Sequence, residues 1–317
     1  MKIIHTPVLS EEAVVYLAPR QGVEFMVDAT LGEGGHSEVF LSRFPDLRII
    51  GIDADKNIQE AAKERLKRFG DRIQYYSGWA QDFFAGFPRE MKRPDAVLID
   101  LGVSSYHYER SGRGFSFRKD EDLDMRIDPS RGPSAADLLA RLSEGELADI
   151  FYKNAEERFS RRIARGIAAA RAGGAVRGSA ALAEIVSRSV PPFYRRGKIH
   201  PATRTFQALR IAVNGELDRL RELLEGALKV LAVHGRLGVI TFHSLEDRIV
   251  KNFFREKNNG CSALPKAPIN ADNGSRLLEL VTRKPVVPAD KEIRDNPPSR
   301  SAKFRVVEKI RDEGGGE

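Results

Sequence analysis

Short apolar runs alternate with segments of helical apolar spacing through the first hundred residues. FMVDAT (25–30) and RIIGID (48–53) read as buried strands, and DKNIQEAAKERLKRF (55–69) as an amphipathic helix. RIQYYS (72–77) and DAVLIDLG (95–102) supply a third and a fourth strand. This alternation predicts βαβ units and a parallel sheet with helices on both faces. Near residue 104 it stops. From there to about 212 only helix signals occur. Ser134 precedes AADLLARL, and Ser143 with Glu146 has capping-box spacing ahead of LADIFYKN. RFSRRIARGIAAARA (158–172) and SAALAEIVSRSV (179–190) follow, the second halted by Pro191 and Pro192, and then PATRTFQALRIAV (201–213). After a long helix at 216–232, strands return at 236–242, 277–283 and 302–310. Between the first two, Ser244 with Asp247 at its third helical position predicts a capped helix through about Glu256. The pattern is an α/β core in two segments, 1–105 and 213–317, interrupted by an all-helical insertion at 106–212.

Composition adds limits. At 317 residues with 41% hydrophobic content, the chain can bury a full core and a second unit. No apolar run reaches membrane-spanning length, and Glu11 and Glu12 interrupt the N-terminal apolar stretch, so no membrane segment or signal peptide is expected and the cytoplasm is the expected location. Cys261 is the only cysteine, which excludes an internal disulfide and a cysteine-cluster metal site; no metal is expected. The DEGGGE tail reads as unstructured. Net charge is +7, and residues 150–212 hold 13 Lys/Arg against Glu156, Glu157 and Glu184. A basic segment in a chain that is otherwise near neutral suggests a polyanion bound there, or else an arginine-rich solvated face.

DATLGEGGH (28–36) puts Gly32, Gly34 and Gly35 where a strand passes into a helix, so a ligand can approach the backbone closely. Asp53 ends the second strand, where an acid can accept from a ribose diol in a Rossmann-type sheet. Ser37 stands at the third glycine of the dinucleotide pattern, and no Gly-Lys-Ser/Thr follows. S-adenosylmethionine (SAM) has no pyrophosphate and suits a shorter glycine pattern preceded by an acid, here Asp28.

Longer strings are more specific. HTPVLSEEAV (5–14), DATLGEGGHS, DLGVSS (100–105), RGFSFRKDEDLDMRIDPSRGPSAADLL (113–139), HPATRTFQALRIAVNGEL (200–217), FHSLEDRIVKNFF (242–254) and NPPSRSAKFR (296–305) occur in that order. Together they closely resemble the bacterial 16S ribosomal RNA cytosine-N4 methyltransferase family of the MraW/RsmH type, from about His5 to about Val307. The resemblance implies a Rossmann-like SAM-dependent methyltransferase core with a helical domain inserted after the fourth strand. It also implies SAM as methyl donor, 16S rRNA or the small ribosomal subunit as partner, and a decoding-region cytidine as acceptor. By the same resemblance Gly34, Gly35 and His36 are glycine-loop contacts to the cofactor, Asp53 is the ribose acid and Asp100 the acid ending strand four. Two positions depart from the family pattern. Ala80 stands where a phenylalanine often flanks the adenine, leaving Phe83 or Trp79 to serve, and His107 replaces the usual glutamine.

Methyl transfer is an in-line displacement, so positioning supplies most of the catalysis. The N4 amine of cytosine is a poor nucleophile and needs hydrogen-bond acceptors, with the base held in a pocket. Asp100 and His243 are the catalytic candidates, one from each of two central strands taken to flank the switch point of the sheet. Asp100 can equally contact the cofactor or cap a loop, and His243 can stack on the base, hydrogen-bond it or take its proton. Asp124, Arg126 and Asp128 suit either an ion-pair network or a phosphate contact by Arg126. In a stretch that also holds His200 and Gln207, Arg204 and Arg210 can clamp phosphates and Phe206 can stack a base, although the helical spacing also places Phe206 in a core. NPPS lacks the aromatic of other amino-methyltransferase signatures and reads as a loop. Two alternatives stay open: an NAD-dependent oxidoreductase, disfavoured by Ser37, and a non-catalytic RNA-binding factor, disfavoured by the intact loop with Asp53 and Asp100. Oligomeric state is left open.

Overall fold

The computed structural model describes residues 6–18, 22–174, 176–197, 199–259 and 276–313. Cys261 and the last four residues of the DEGGGE tail lie outside these. Among the described residues seven strands form one sheet: β1 (Phe25–Asp28), β2 (Arg48–Asp53), β3 (Ile73–Ser77), β4 (Ala96–Asp100), β5 (Arg236–Thr241), β6 (Leu278–Leu280) and β7 (Lys303–Lys309). Their order is β3-β2-β1-β4-β5-β7-β6. The pairs from β3 through β5 are parallel, and β7 runs antiparallel to both β5 and β6.

Alternation along each strand explains why these runs are apolar throughout. On β4, Ala96 and Leu98 enter one core, and Val97 and Ile99 the other. The first core adds Leu17 from the helix Ser10–Leu17, Phe40 from Gly35–Arg43 and Leu66 from Lys56–Leu66. The second adds Leu220, Leu224 and Leu228 from the helix Glu216–Val230, with Phe253 and Phe254 from Ser244–Asn259. The helix expected at 55–69 is capped by Asp55, which accepts from the Asn57 N–H at 3.0 Å. It ends at Leu66 and passes into 3-10 turns over Lys67–Arg72, which are interrupted at Gly70, where φ is 58°.

The chain divides into two compact units, Met1–Gly102 with Arg219–Glu317, and Val103–Asp218. The second is built on the helices Ala135–Arg141, Glu144–Ala155, Ser160–Ala172, Ser179–Ser189 and Ala202–Asn214, with Leu139, Phe151, Ile163, Leu182 and Leu209 in its core. Ser134 with Asp137 and Ser143 with Glu146 form reciprocal capping boxes. Pro192 does not merely stop a helix; it opens the short helix Pro192–Arg195. A 3-10 turn, Pro297–Ser301, begins within NPPS. No helix of the described residues is long and apolar enough to cross a membrane.

Candidate active site at the carboxyl ends of the strands

Strand order reverses between β1 and β4, and the carboxyl ends there define the crevice of an open α/β sheet. The loop after β1 is tied to both neighbours. Ala29 N–H donates to Leu98 O at 2.9 Å, and Leu31 N–H to Ile52 O at 2.8 Å. Gly32 N–H donates to Asp53 Oδ2 at 2.8 Å, while Asp53 Oδ1 accepts from the Asp55 N–H at 2.8 Å. A carboxylate oxygen has two acceptor positions, so this anchoring is compatible with accepting a ribose diol as well.

Gly34 adopts φ 78° at the cap of the helix Gly35–Arg43. A Cβ built there meets Leu66 Cδ1 at 2.8 Å and Ala62 Cβ at 3.4 Å; at Gly35 it meets Pro7 Cδ at 3.2 Å and Arg65 Nη1 at 3.4 Å. Both glycines thus make room for protein neighbours, beyond any close approach of a ligand. Gly34→Ala should lower stability by about 1–3 kcal/mol through this overlap, with the left-handed backbone adding strain. Urea denaturation checks this: unchanged stability would show that Leu66 yields freely.

Ser37, which spoils the dinucleotide pattern, donates its hydroxyl to Asp28 Oδ2 at 2.7 Å. Burial pushes the Asp28 carboxyl up to about 6 against the opposing pull of that bond and of the Thr30 N–H. Thr30 Oγ1 accepts from the Asp100 N–H at 2.6 Å. Asp100 Oδ1 is buried with no hydrogen-bond partner among the described residues, and Oδ2 lies 3.6 Å from His36 Nδ1. The other His36 nitrogen, Nε2, is 2.9 Å from Val8 O, which places the ring hydrogen on Nε2 and the lone pair toward Asp100. Burial lowers His36 to about 4, so the ring is neutral. Burial first, then the charges of Asp28 and Glu246, holds Asp100 well above the usual carboxylate range.

Glu246, absent from the sequence-based candidates, organises the end of β5. Its Oε2 accepts from Phe242 N–H at 2.8 Å and His243 N–H at 3.2 Å, and its own N–H approaches His243 Nδ1 at 3.4 Å. His243 therefore caps the helix Ser244–Asn259, reciprocally with Glu246 three residues on, and the expected Ser244–Asp247 box is shifted by one residue. Asp247 instead accepts from Arg305 Nε at 2.7 Å and Lys303 Nζ at 3.2 Å on β7. His243 Nε2 lies 3.0 Å from Glu246 Oε1, off the line of a hydrogen bond. Asp100 and His243 do not straddle the switch point, since β4 and β5 are adjacent and on the same side of it.

Ser77 pairs in register with Asp53, and Gly78 N–H donates to Asp53 O at 2.9 Å, bringing Trp79 next to that strand end. Arg219 Cζ lies 4.7 Å from the Trp79 ring centroid, and the buried Trp79 Nε1 has no acceptor among the described residues. Phe83 sits a helical turn further on, 5.1 Å from the Tyr76 ring and edge-on to Phe84 and Phe87. Ala80 is buried in the core.

The remaining candidates belong to the second unit. His107 is buried, its ring 5.1 Å from Phe115. Arg126 grips Asp124 through two hydrogen bonds of 2.7 and 2.8 Å, the ion-pair network of the two expected uses. Phe206 is 4% exposed and packs edge-on to Phe117 at 5.1 Å; its helix turns it inward with Ala202 and Leu209, so it cannot stack a base. Arg210 is likewise buried, held by Glu216 and Tyr108. Arg204 is partly exposed and reaches Glu156 O at 3.3 Å.

A sheet of this order, a glycine loop after β1, an acid ending β2 and an orphaned carboxyl oxygen at the end of β4 define a Rossmann-like, SAM-dependent methyltransferase. The MraW methylase family model matches residues 2–310, and the chain belongs to that family. It is 54% identical over 310 residues to the ribosomal RNA small subunit methyltransferase H of Treponema denticola, covering 98% of each chain. Identity to the protein of that name from Treponema pallidum is 42%, over 97% of this chain and 93% of the relative. The solved rRNA methylase from Streptococcus thermophilus aligns with 98% of this chain and 100% of its own, at 11% identity and a TM-score of 0.40.

Proposed function

We propose that this methyltransferase acts on small-subunit ribosomal RNA, as its relatives' names describe for them, and that its acceptor is the N4 amine of a decoding-region cytidine in 16S rRNA. The observation that carries the reading of the site is the buried, unsatisfied Asp100 Oδ1 beside Asp28 and Glu246. Three acidic side chains gathered with little solvent suit a ligand that brings positive charge and amino hydrogens. When bound, SAM supplies an electrophilic methyl group on a sulfonium and a cationic amino-acid end.

Asp53 would hold the ribose, Trp79 the adenine, and the loop at Gly34–His36 the approach to the donor. Asp100 would orient the cytosine amine as an acceptor or hold the cofactor's cationic end. His243, engaged by Glu246, would position the base through its ring. Positioning on this scale is worth several orders of magnitude in rate. The second unit, Val103–Asp218, would recognise RNA through its basic helices, with Arg204 as a partly exposed phosphate contact.

The test is to incubate the purified protein with SAM and small-subunit rRNA or subunits and to digest to nucleosides. N4-methylcytidine is expected among the nucleosides. Methyl groups on another base or atom, or none on either substrate, would overturn the assignment. RNA affinity should also fall steeply with salt, since each neutralised phosphate releases counterions. Arg161→Glu with Arg162→Glu should cut RNA affinity and leave SAM affinity intact. A flat salt response would reduce the basic helices to a solvated face.

A further inference from the structure

We infer that Phe193, backed by Arg158, is a stacking platform for an unstacked base of single-stranded RNA, additional to the nucleotide that is methylated. The inference rests on the RNA reading above and names a site for it. Phe193 lies in the short helix Pro192–Arg195 and is 63% exposed. Its ring nevertheless has neighbours on the protein side. Phe159 meets it edge-on at 6.1 Å, and Arg158 Cζ lies 5.6 Å from its centroid while also 4.9 Å from Phe159 and 4.9 Å from Tyr194. Beneath this cluster Glu157 is fully buried, accepting the Tyr194 hydroxyl at 2.7 Å and the Phe159 N–H at 2.8 Å. An aromatic ring with such neighbours before binding loses less freedom when a base stacks on it.

The surroundings match a polyanion better than a protein face. Arg161, Arg162, Arg195 and Arg196 are all exposed and form no ion pair among the described residues. Of the nearby acids Glu157 points inward to Tyr194, leaving Glu156 exposed. The cation shown against the ring is Arg158, and Arg195 and Arg196 follow Phe193 directly in the chain. Guanidinium groups contact phosphates, and an aromatic face stacks any base with little sequence preference.

Fluorescence anisotropy of the full chain with a short labelled oligouridine tests this, run beside methylation of small-subunit rRNA. Phe193→Ala should weaken oligouridine binding about ten-fold. Phe193→Trp should bind at least as well as the parent, and Phe193→Leu, apolar but without a π face, should behave like the alanine variant. The salt slope should stay that of the parent in all three, because the phosphate contacts remain. An exposed ring can be removed without unfolding, and parental melting of each variant confirms it. Parental affinity in Phe193→Ala, or full rescue by leucine, overturns the platform. If rRNA is methylated while Phe193→Ala binds normally, only the platform falls. If the parent neither binds RNA nor methylates it, the proposed function falls too.

Discussion

Asp100→Asn will lower turnover by about 10²-fold or more, the usual cost of losing a positioning contact at the reacting centre. Asparagine keeps the shape and one acceptor oxygen but replaces the other with donors and removes the charge. Where the loss appears assigns the role: in SAM affinity if Asp100 holds the cofactor, in single-turnover rate at saturating SAM if it orients the amine. The environment adds a second signature. Burial, then Asp28 and Glu246, raises this carboxyl well above the usual range, so in the free protein its protonated form persists to higher pH than in an ordinary carboxyl. A cation placed beside it favours the ionised form and expels the proton. SAM affinity should therefore rise with pH until the raised pKa of the free protein is passed, then level off. Calorimetric titration in buffers of different ionisation enthalpy reads the released proton directly. Turnover like the parent's, or a proton release that persists in Asp100→Asn, would remove Asp100 from these roles.

Asp53→Ala will weaken SAM binding by about 2–4 kcal/mol, because it leaves ribose hydroxyls without charge-assisted bonds. The carboxylate also anchors the Gly32 N–H, so alanine loosens the glycine loop at the same time. The expected pattern is a large loss in binding with rRNA affinity unchanged. Parental SAM affinity by calorimetry would show that the ribose lies elsewhere.

Much of this was readable from residue order because both faces of the sheet are buried. Ala96 through Ile99 serve two cores in alternation, so β4 is a continuous apolar run and announces itself. The direction of β7 was not readable, since alternation is the same for parallel and antiparallel neighbours. Acids at strand ends were legible by position: Asp28, Asp53 and Asp100. Their partners were not, because Thr30 and Asp100 meet across 70 residues of chain. The cap at 243–247 misled for a related reason. Serine is a better cap than histidine by preference, and both Glu246 and Asp247 fit the offset. Asp247 is claimed instead by Arg305 and Lys303, fixed by β7 pairing with β5. Glu246 was visible as His-x-x-Glu, a box whose first residue is not the usual hydroxyl. Phe206 followed its helical spacing into the core, as the periodicity alone indicated.

The pairing of β4 with β5 also sets a timetable for synthesis. β4 ends at Asp100 and β5 begins at Arg236, so a ribosome must translate well over a hundred residues before the free edge of β4 has its partner. At synthesis speeds of ~5–20 residues per second this is roughly ten seconds. During it, the nascent chain carries an apolar strand with an open row of backbone donors and acceptors, a template for aggregation. The helices of 103–218 rely on nearer contacts and can form meanwhile. Codon choice that slows translation across that stretch should therefore raise the insoluble fraction on expression.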